Sequence, residues 1–259
     1  MKTNFLCCLI VFFGTLTLTS CIHYYYAPSA NNVPLFKEKN EARIQAQYSA
    51  VGSDPNSGQA VGGFELQTAY AAGKHLGLQL NYFHVSDQDP DYGSGNGNYF
   101  EAAAGYFKPL TNKDWIFETY GGIGSGTVKN IYKNDGFEAS ATTSFSKFLI
   151  QPSIGYSRER FAVALSSKIS LVNFGVRSSS LNQDHFPGDY DDVESLKNNK
   201  TFVWWEPALL IRGGFKNLQA YIQYTYSAQS NKVMPFFADN LSIGITVPFK
   251  IIAKQNTVK

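Results

Sequence analysis

The sequence predicts an all-β protein, an antiparallel up-and-down transmembrane β-barrel of about ten strands, with eight strands plus a cap as the alternative count. Three observations predict it. Apolar and polar residues alternate with a period of two in one segment after another. The connections between those segments alternate between tight turns and longer polar loops, the habit of outer-membrane barrels. The 259 residues include 16 Tyr, 20 Phe and 22 Gly against 2 Met, a composition suited to strands and close turns.

Residues 1–20 read as a lipoprotein signal peptide. Lys2 gives it a positive start, and the apolar run from Phe5 to Leu18 is too short to span a bilayer as a helix. Leu18-Thr19-Ser20-Cys21 resembles the bacterial lipobox. The resemblance implies lipidation at Cys21, with a diacylglycerol and an acyl chain on the first residue of the mature protein. Cys7 and Cys8 fall inside the leader, so Cys21 is the only mature cysteine. A disulfide framework and a thiolate metal site are thereby excluded. Residues 21–40, with Tyr24-Tyr25-Tyr26, Pro28 and Pro34, read as an extended lipidated tether whose tyrosines suit a headgroup interface.

The barrel is expected over 41–250, followed by a tail at 251–259. Ile44, Ala46, Tyr48 and Ala50 alternate with Arg43, Gln45, Gln47 and Ser49. Phe64, Leu66, Thr68 and Tyr70 alternate with Glu65, Gln67, Ala69 and Ala71, and Leu76, Leu78, Leu80 and Tyr82 follow. Further runs are centred on 98–108, 115–127, 142–157, 161–176, 202–213, 218–228 and 238–249. Tight connections fall at 73–74, 110–114, 158–160 and 214–217. Longer ones fall at 52–59, 86–97, 128–141, 177–201 and 229–237, the fourth read as irregular because of Pro187 and Gly188. Gly121-Gly122-Ile123-Gly124-Ser125-Gly126 lies within a strand, where small residues permit close packing.

Alternation alone does not say which face meets solvent. A soluble lipocalin-like barrel turns its apolar face inward, a membrane barrel outward. The polar faces here carry mostly Gln, Asn, Ser, Thr, Ala and Gly rather than the Lys and Glu of a water-facing exterior. That favours the membrane, with Tyr82, Phe83, Tyr99, Phe100, Tyr106, Phe107, Trp115, Phe117, Phe202 and Trp205 forming interfacial girdles. The strand charges then fall inside. Arg43, Glu65, Glu101, Glu118, Lys147, Lys168, Glu206 and Arg212 are expected to form a lumenal network that plugs a narrow lumen. A conducting lumen is the alternative.

With a formal net charge of +2, the chain has no basic field for nucleic acid. Asp87, Asp89 and Asp91 match the first positions of a calcium loop, but Tyr92 and Asn98 break the pattern. They make a weak Ca²⁺ candidate on what reads as a solvated acidic loop. Asp189, Asp191, Asp192 and Glu194 make the longest loop acidic as well, whereas the turns carry Lys74, Lys108, Lys113, Arg158, Arg160 and Lys216. Such a face suits outer-membrane lipid and lipopolysaccharide bridged by divalent cations. No resident cofactor is expected. His84 with Asp87 and Asp89, facing Asp184-His185, could mimic an omptin rim, but adjacent strand residues point to opposite faces. His75 and His84 lack the Ser partner of a lipid A deacylase. No enzyme is expected.

A lipobox followed by Tyr26-Ala27-Pro28, Asn32-Val33-Pro34-Leu35-Phe36 and Gly63-Phe64-Glu65-Leu66-Gln67 resembles lipidated outer-membrane β-barrel proteins of Bacteroidetes type. The resemblance implies the outer membrane and carries no catalytic residues. Ile22 follows the cysteine without the acidic run that directs some lipoproteins of that group to the surface. The expectation is therefore a monomeric, lipid-anchored barrel with a periplasmic N-terminus, serving a structural or interaction role. A small-solute channel, a ligand-binding barrel (membrane-embedded or periplasmic) and a rim hydrolase are the alternatives.

Overall fold

The computed structural model describes residues 23–52, 60–230 and 235–251. The signal peptide and Cys21 lie outside the described residues, as do 53–59, 231–234 and the tail from 252. Ten long strands form one closed antiparallel barrel: β1 (Glu41–Gly52), β2 (Ala60–Ala71), β3 (Leu76–Asp89), β4 (Gly93–Pro109), β5 (Trp115–Asn134), β6 (Phe137–Arg158), β7 (Phe161–Ser179), β8 (Thr201–Phe215), β9 (Leu218–Tyr226) and β10 (Asp239–Lys250). Each pairs with its sequence neighbours. The seam closes where β1 meets β10, from Glu41↔Lys250 to Gly52↔Asp239. A two-residue strand, Ala228–Gln229, adds to β8 above β9.

The barrel is inside-out relative to a soluble protein. Leu76, Leu78, Leu80, Ile150, Leu165, Ile169, Ile222, Ile243 and Ile245 are exposed on its outer face, while Gln45, Gln67, Gln79, Gln151 and Gln223 are buried within. Outward residues of β5 stay apolar or small from Trp115 to Ile123, then turn to Ser125, Thr127 and Lys129. On β7 the change comes between Leu171 and Asn173. The apolar belt is therefore about the 9–11 residues that a tilted strand needs to cross a bilayer. The excess length of β5 and β6, strands of 20 and 22 residues, rises beyond it as a polar wall.

Two expected loops are instead strand. The 86–97 connection shrinks to Pro90-Asp91-Tyr92, and 128–141 to Asp135-Gly136, where both residues have positive φ (48° and 83°). That is the geometry an Asp-Gly hairpin turn takes to match strand twist. In the 177–201 connection, read as irregular, the structure has a helix, α1 (Pro187–Asn198). Pro187 at its first turn supplies a ready-made φ, and Asp189 and Lys197 suit the dipole at its two ends.

The girdle expectation is corrected for four of its ten residues. Tyr82, Phe100, Tyr106, Trp115, Phe117 and Trp205 do face outward, but Phe83, Tyr99, Phe107 and Phe202 are buried inside. Consecutive strand residues take opposite faces, so one member of each adjacent pair had to point inward.

Candidate functional site

The lumen is filled by the chain's own N-terminal segment. Residues 23–40, expected as a tether outside the barrel, instead run down its axis. From Tyr24 to Phe36 every residue is buried. The segment enters among the long loops, where the His23 ring packs on Tyr132 with centroids 3.9 Å apart and its Nε2 lies 3.0 Å from the Ile131 carbonyl. It leaves among the tight turns, where Lys37 Nζ meets Asp114 at 3.3 Å. Asn40, at φ 69°, then turns the chain into β1.

An extended chain inside a barrel has no ladder partner, so its amides and carbonyls must be met by side chains or the burial is costly. The wall supplies them. Both Glu65 oxygens accept from the Ala30 N–H at 3.1 Å, while Gln67 donates to the Ala30 carbonyl at 2.8 Å. Gln79 and Gln151 donate to the Asn32 carbonyl at 3.1 and 2.7 Å. Asn130 reaches the Tyr24 carbonyl, Asn240 that of Pro28 and Arg212 that of Val33, at 2.9, 2.7 and 2.7 Å. Glu118 accepts from the Phe36 N–H at 3.0 Å. This is why the inward faces are rich in amides.

Near the long-loop end the plug is aromatic. Tyr24, Tyr25 and Tyr26 join a buried cluster with Phe83, Tyr99, Phe145, Phe174, Phe202 and Trp204, roofed by Leu181, Phe186 and the α1 residues Val193 and Leu196. Tyr26 stacks on Trp204 with centroids 4.3 Å apart. Inward-facing Gly126 makes room for this cluster, since a Cβ there would meet Phe145 at 2.4 Å and Tyr99 at 2.5 Å.

All eight charged positions face the lumen, in three separate settings rather than one network. Below Tyr26, Lys147 lies 2.5 Å from Glu101 and 3.7 Å from Glu206, with Lys168 at 3.7 and 3.8 Å from the same two acids. The Tyr26 hydroxyl donates to Glu206 at 2.9 Å and accepts from Lys147 at 3.0 Å, tying plug to cluster. Glu65 is met by hydrogen-bond donors, among them Ser49 at 2.6 Å and Asn240 at 3.2 Å. Arg43, Glu118 and Arg212 surround the lower plug, with Arg43 donating to Thr246 at 3.3 Å. The expectation that charge pairs plug the lumen is corrected accordingly: polypeptide fills it, and the charges hold the polypeptide.

At the turn rim, the Arg158 guanidinium 2.9 Å away and then Lys37 hold the Asp114 carboxyl below its usual range. At the loop rim, burial and then Asp189 and Asp191 push Asp192 up to about 6. Asp87, Asp89 and Asp91 do not converge. Asp89 accepts from the Asp91 and Tyr92 N–H groups at 2.8 and 3.2 Å, and Asp87 from that of Gln88 at 2.9 Å. Among the described residues no three His, Cys, Asp or Glu side chains are placed to hold a metal ion. The omptin-like residues are also apart. His84 pairs with Asn98 on the outer wall, whereas His185 stacks on Phe137 at the top of β6.

The plug itself was missed in the sequence. Its signal lay in eight apolar or aromatic residues within the expected tether (Tyr24, Tyr25, Tyr26, Ala27, Ala30, Val33, Leu35, Phe36), beside a wall whose amides needed partners.

No known family model matches the chain, and no curated protein does. Among solved structures, the translocator domain of the autotransporter NalP from Neisseria meningitidis is 10% identical, with a TM-score of 0.47 over 82% of this chain and 88% of that one. The outer membrane protease OmpT from Escherichia coli is 11% identical, with a TM-score of 0.42 over 81% and 96%. The β domain of the Bordetella autotransporter BrkA is 13% identical, with a TM-score of 0.43 over 81% and 98%. The assignment of the fold rests on the strand register of this chain.

Proposed function

We propose that this protein is a lipid-anchored outer-membrane barrel that does not conduct, and that it presents its long-loop rim as a structural or interaction surface. The observation that carries the reading is the occupied lumen. Residues 24–36 are buried along its axis, and backbone groups of Tyr24, Pro28, Ala30, Asn32, Val33 and Phe36 are bonded to wall side chains, which in this reading closes the lumen to ions. The apolar belt supports membrane insertion, because an exterior of Leu, Ile and Phe on every strand is stable only against lipid. The partners in this reading are outer-membrane lipid and lipopolysaccharide, the barrel works as a monomer, and it is not an enzyme.

Two measurements test it. Detergent-extracted protein should migrate differently on gels with and without boiling, and delipidated protein that dissolves in buffer would count against an embedded barrel. In planar bilayers the full chain should give flat traces, whereas a variant lacking residues 23–36 should give discrete steps. Steps from the full chain would overturn the closed-lumen reading.

A further inference from the structure

From the path of the plug we infer that the mature N-terminus, with the acyl group on Cys21, emerges at the long-loop rim on the outer side of the membrane. The sequence places it in the periplasm; the geometry points to the opposite face. The inference rests on the proposed outer-membrane, lipid-anchored reading and adds the side of the membrane to it.

The two ends of the plug are fixed at opposite rims. At the turn rim, Lys37 N–H donates to Glu41 at 2.6 Å and the Asn40 carbonyl accepts from Ile251 N–H at 2.9 Å, next to the starts of β1 and the end of β10. At the other rim, His23 Nδ1 lies 3.4 Å from Asp189 on α1, the Tyr25 N–H donates to the Pro235 carbonyl at 3.3 Å, and the Phe237 N–H donates to the Tyr26 carbonyl at 3.2 Å. These partners belong to the 177–201 and 229–237 connections, the longest loops. In outer-membrane barrels short turns face the periplasm and long loops face outward.

Chain length then decides the leaflet. Cys21 is two residues ahead of His23, and two residues span at most about 7 Å. The hydrocarbon core is about 30 Å thick. An acyl group on Cys21 therefore cannot sit in the inner leaflet while His23 is seated against Ile131 and Asp189. His23 lies past Ser125, Thr127 and Lys129 on the β5 wall, so the acyl group starts on the outer side of the membrane. No separate surface-export signal is needed for this. Once the barrel closes around residues 23–36, inserting the barrel carries the N-terminus across.

The test uses the full chain with introduced cysteines, which are its only free thiols when Cys21 is acylated. Gly188 has open space around it and lines the same rim cleft as His23. In a His23→Cys/Gly188→Cys variant that keeps its heat-dependent gel shift, the shortest bismaleimide should cross-link the two positions in the fraction whose intact mass shows acylation. Gly188→Cys alone should react on intact cells with a PEG-maleimide too bulky to cross the outer membrane. An acylated fraction without the cross-link, or one in which His23→Cys is captured by Lys74→Cys at the turn rim, overturns the inference. A mass without acyl groups overturns the lipoprotein reading instead. Labelling of Gly188→Cys only after lysis overturns the outward placement of the loops, and the inference with it.

Discussion

Truncating Tyr26 should destabilise the barrel as strongly as removing a core aromatic from a soluble domain, although the residue belongs to no strand. Its ring is 1% exposed and is surrounded by Trp204, Phe145, Phe174 and Tyr99. Deleting such a ring costs about 3–5 kcal/mol. Its hydroxyl also links Glu206 and Lys147, and leaving buried charged groups a partner short costs about 1–3 kcal/mol. Tyr26→Phe isolates the second contribution. The expected losses are thus about 1–3 kcal/mol for Tyr26→Phe and about 4–8 kcal/mol for Tyr26→Ala. Urea unfolding in detergent micelles, followed by tryptophan emission, measures both. Trp204 is fully buried, whereas Trp115 and Trp205 are 42% and 51% exposed. Acrylamide quenching of the folded Tyr26→Ala variant should therefore rise through Trp204. If both variants unfold within about 0.5 kcal/mol of the parent, the size of a neutral surface change, residues 23–36 do not fill the folded barrel.

Three further outcomes follow from the same geometry. Gly126→Val should prevent the native gel shift from appearing, because its side chain would collide with Phe145 and Tyr99; a normally folding variant would refute the close packing there. Lys147→Met should cost about 1–3 kcal/mol, because it removes the nearer of the two cations facing Glu101 and Glu206 and leaves Lys168 at 3.7 and 3.8 Å, and adding Glu101→Gln should recover part of that loss. A strictly additive cycle would argue against direct pairing. Because the folded protein raises the Asp192 pKa to about 6 from 3.8, its contribution to α1 docking is fully present below about pH 4. That contribution is lost as pH rises through about 6, so opening of α1 by hydrogen exchange, corrected for intrinsic rates, should increase over that interval and then level. Asp192→Asn should flatten the profile, and a flat profile in the parent would refute the assignment.

What could be read from the sequence followed the repeating backbone geometry. Alternation located all ten strands, because an inward Gln67 and an outward Leu66 face different media and the pattern repeats along every strand. It also put Glu65, Glu101 and Lys147 on the polar side. Alternation could not say what those side chains touch. Asp135-Gly136 was a legible hairpin signal, passed over because the polar residues around it resembled a loop. Pro187 was read as a breaker although the same ring suits a helix start. The plug escaped for a different reason: residues 24–36 have no period, since apart from the backbone bonds of Tyr25 and Tyr26 to Pro235 and Phe237 their partners are side chains scattered around the wall rather than a neighbouring strand. A segment held that way carries no pattern of its own.

The enclosure of residues 23–36 also has a mechanical consequence. The plug is continuous with β1 at one end and, once Cys21 is acylated, ends in a bulky group at the other. Such a thread cannot be withdrawn through a ring already filled by its own side chains. With Cys21 acylated as proposed, barrel and plug would be interlocked like a ring on a stoppered axle. Release of the plug must wait for a strand seam to part, so the lifetime of the closed lumen is set by the hydrogen bonds between strands, whose shortest registers are the eight pairs that β9 makes with β8 and the eight it makes with β10, not by the grip of the lumen on the thread.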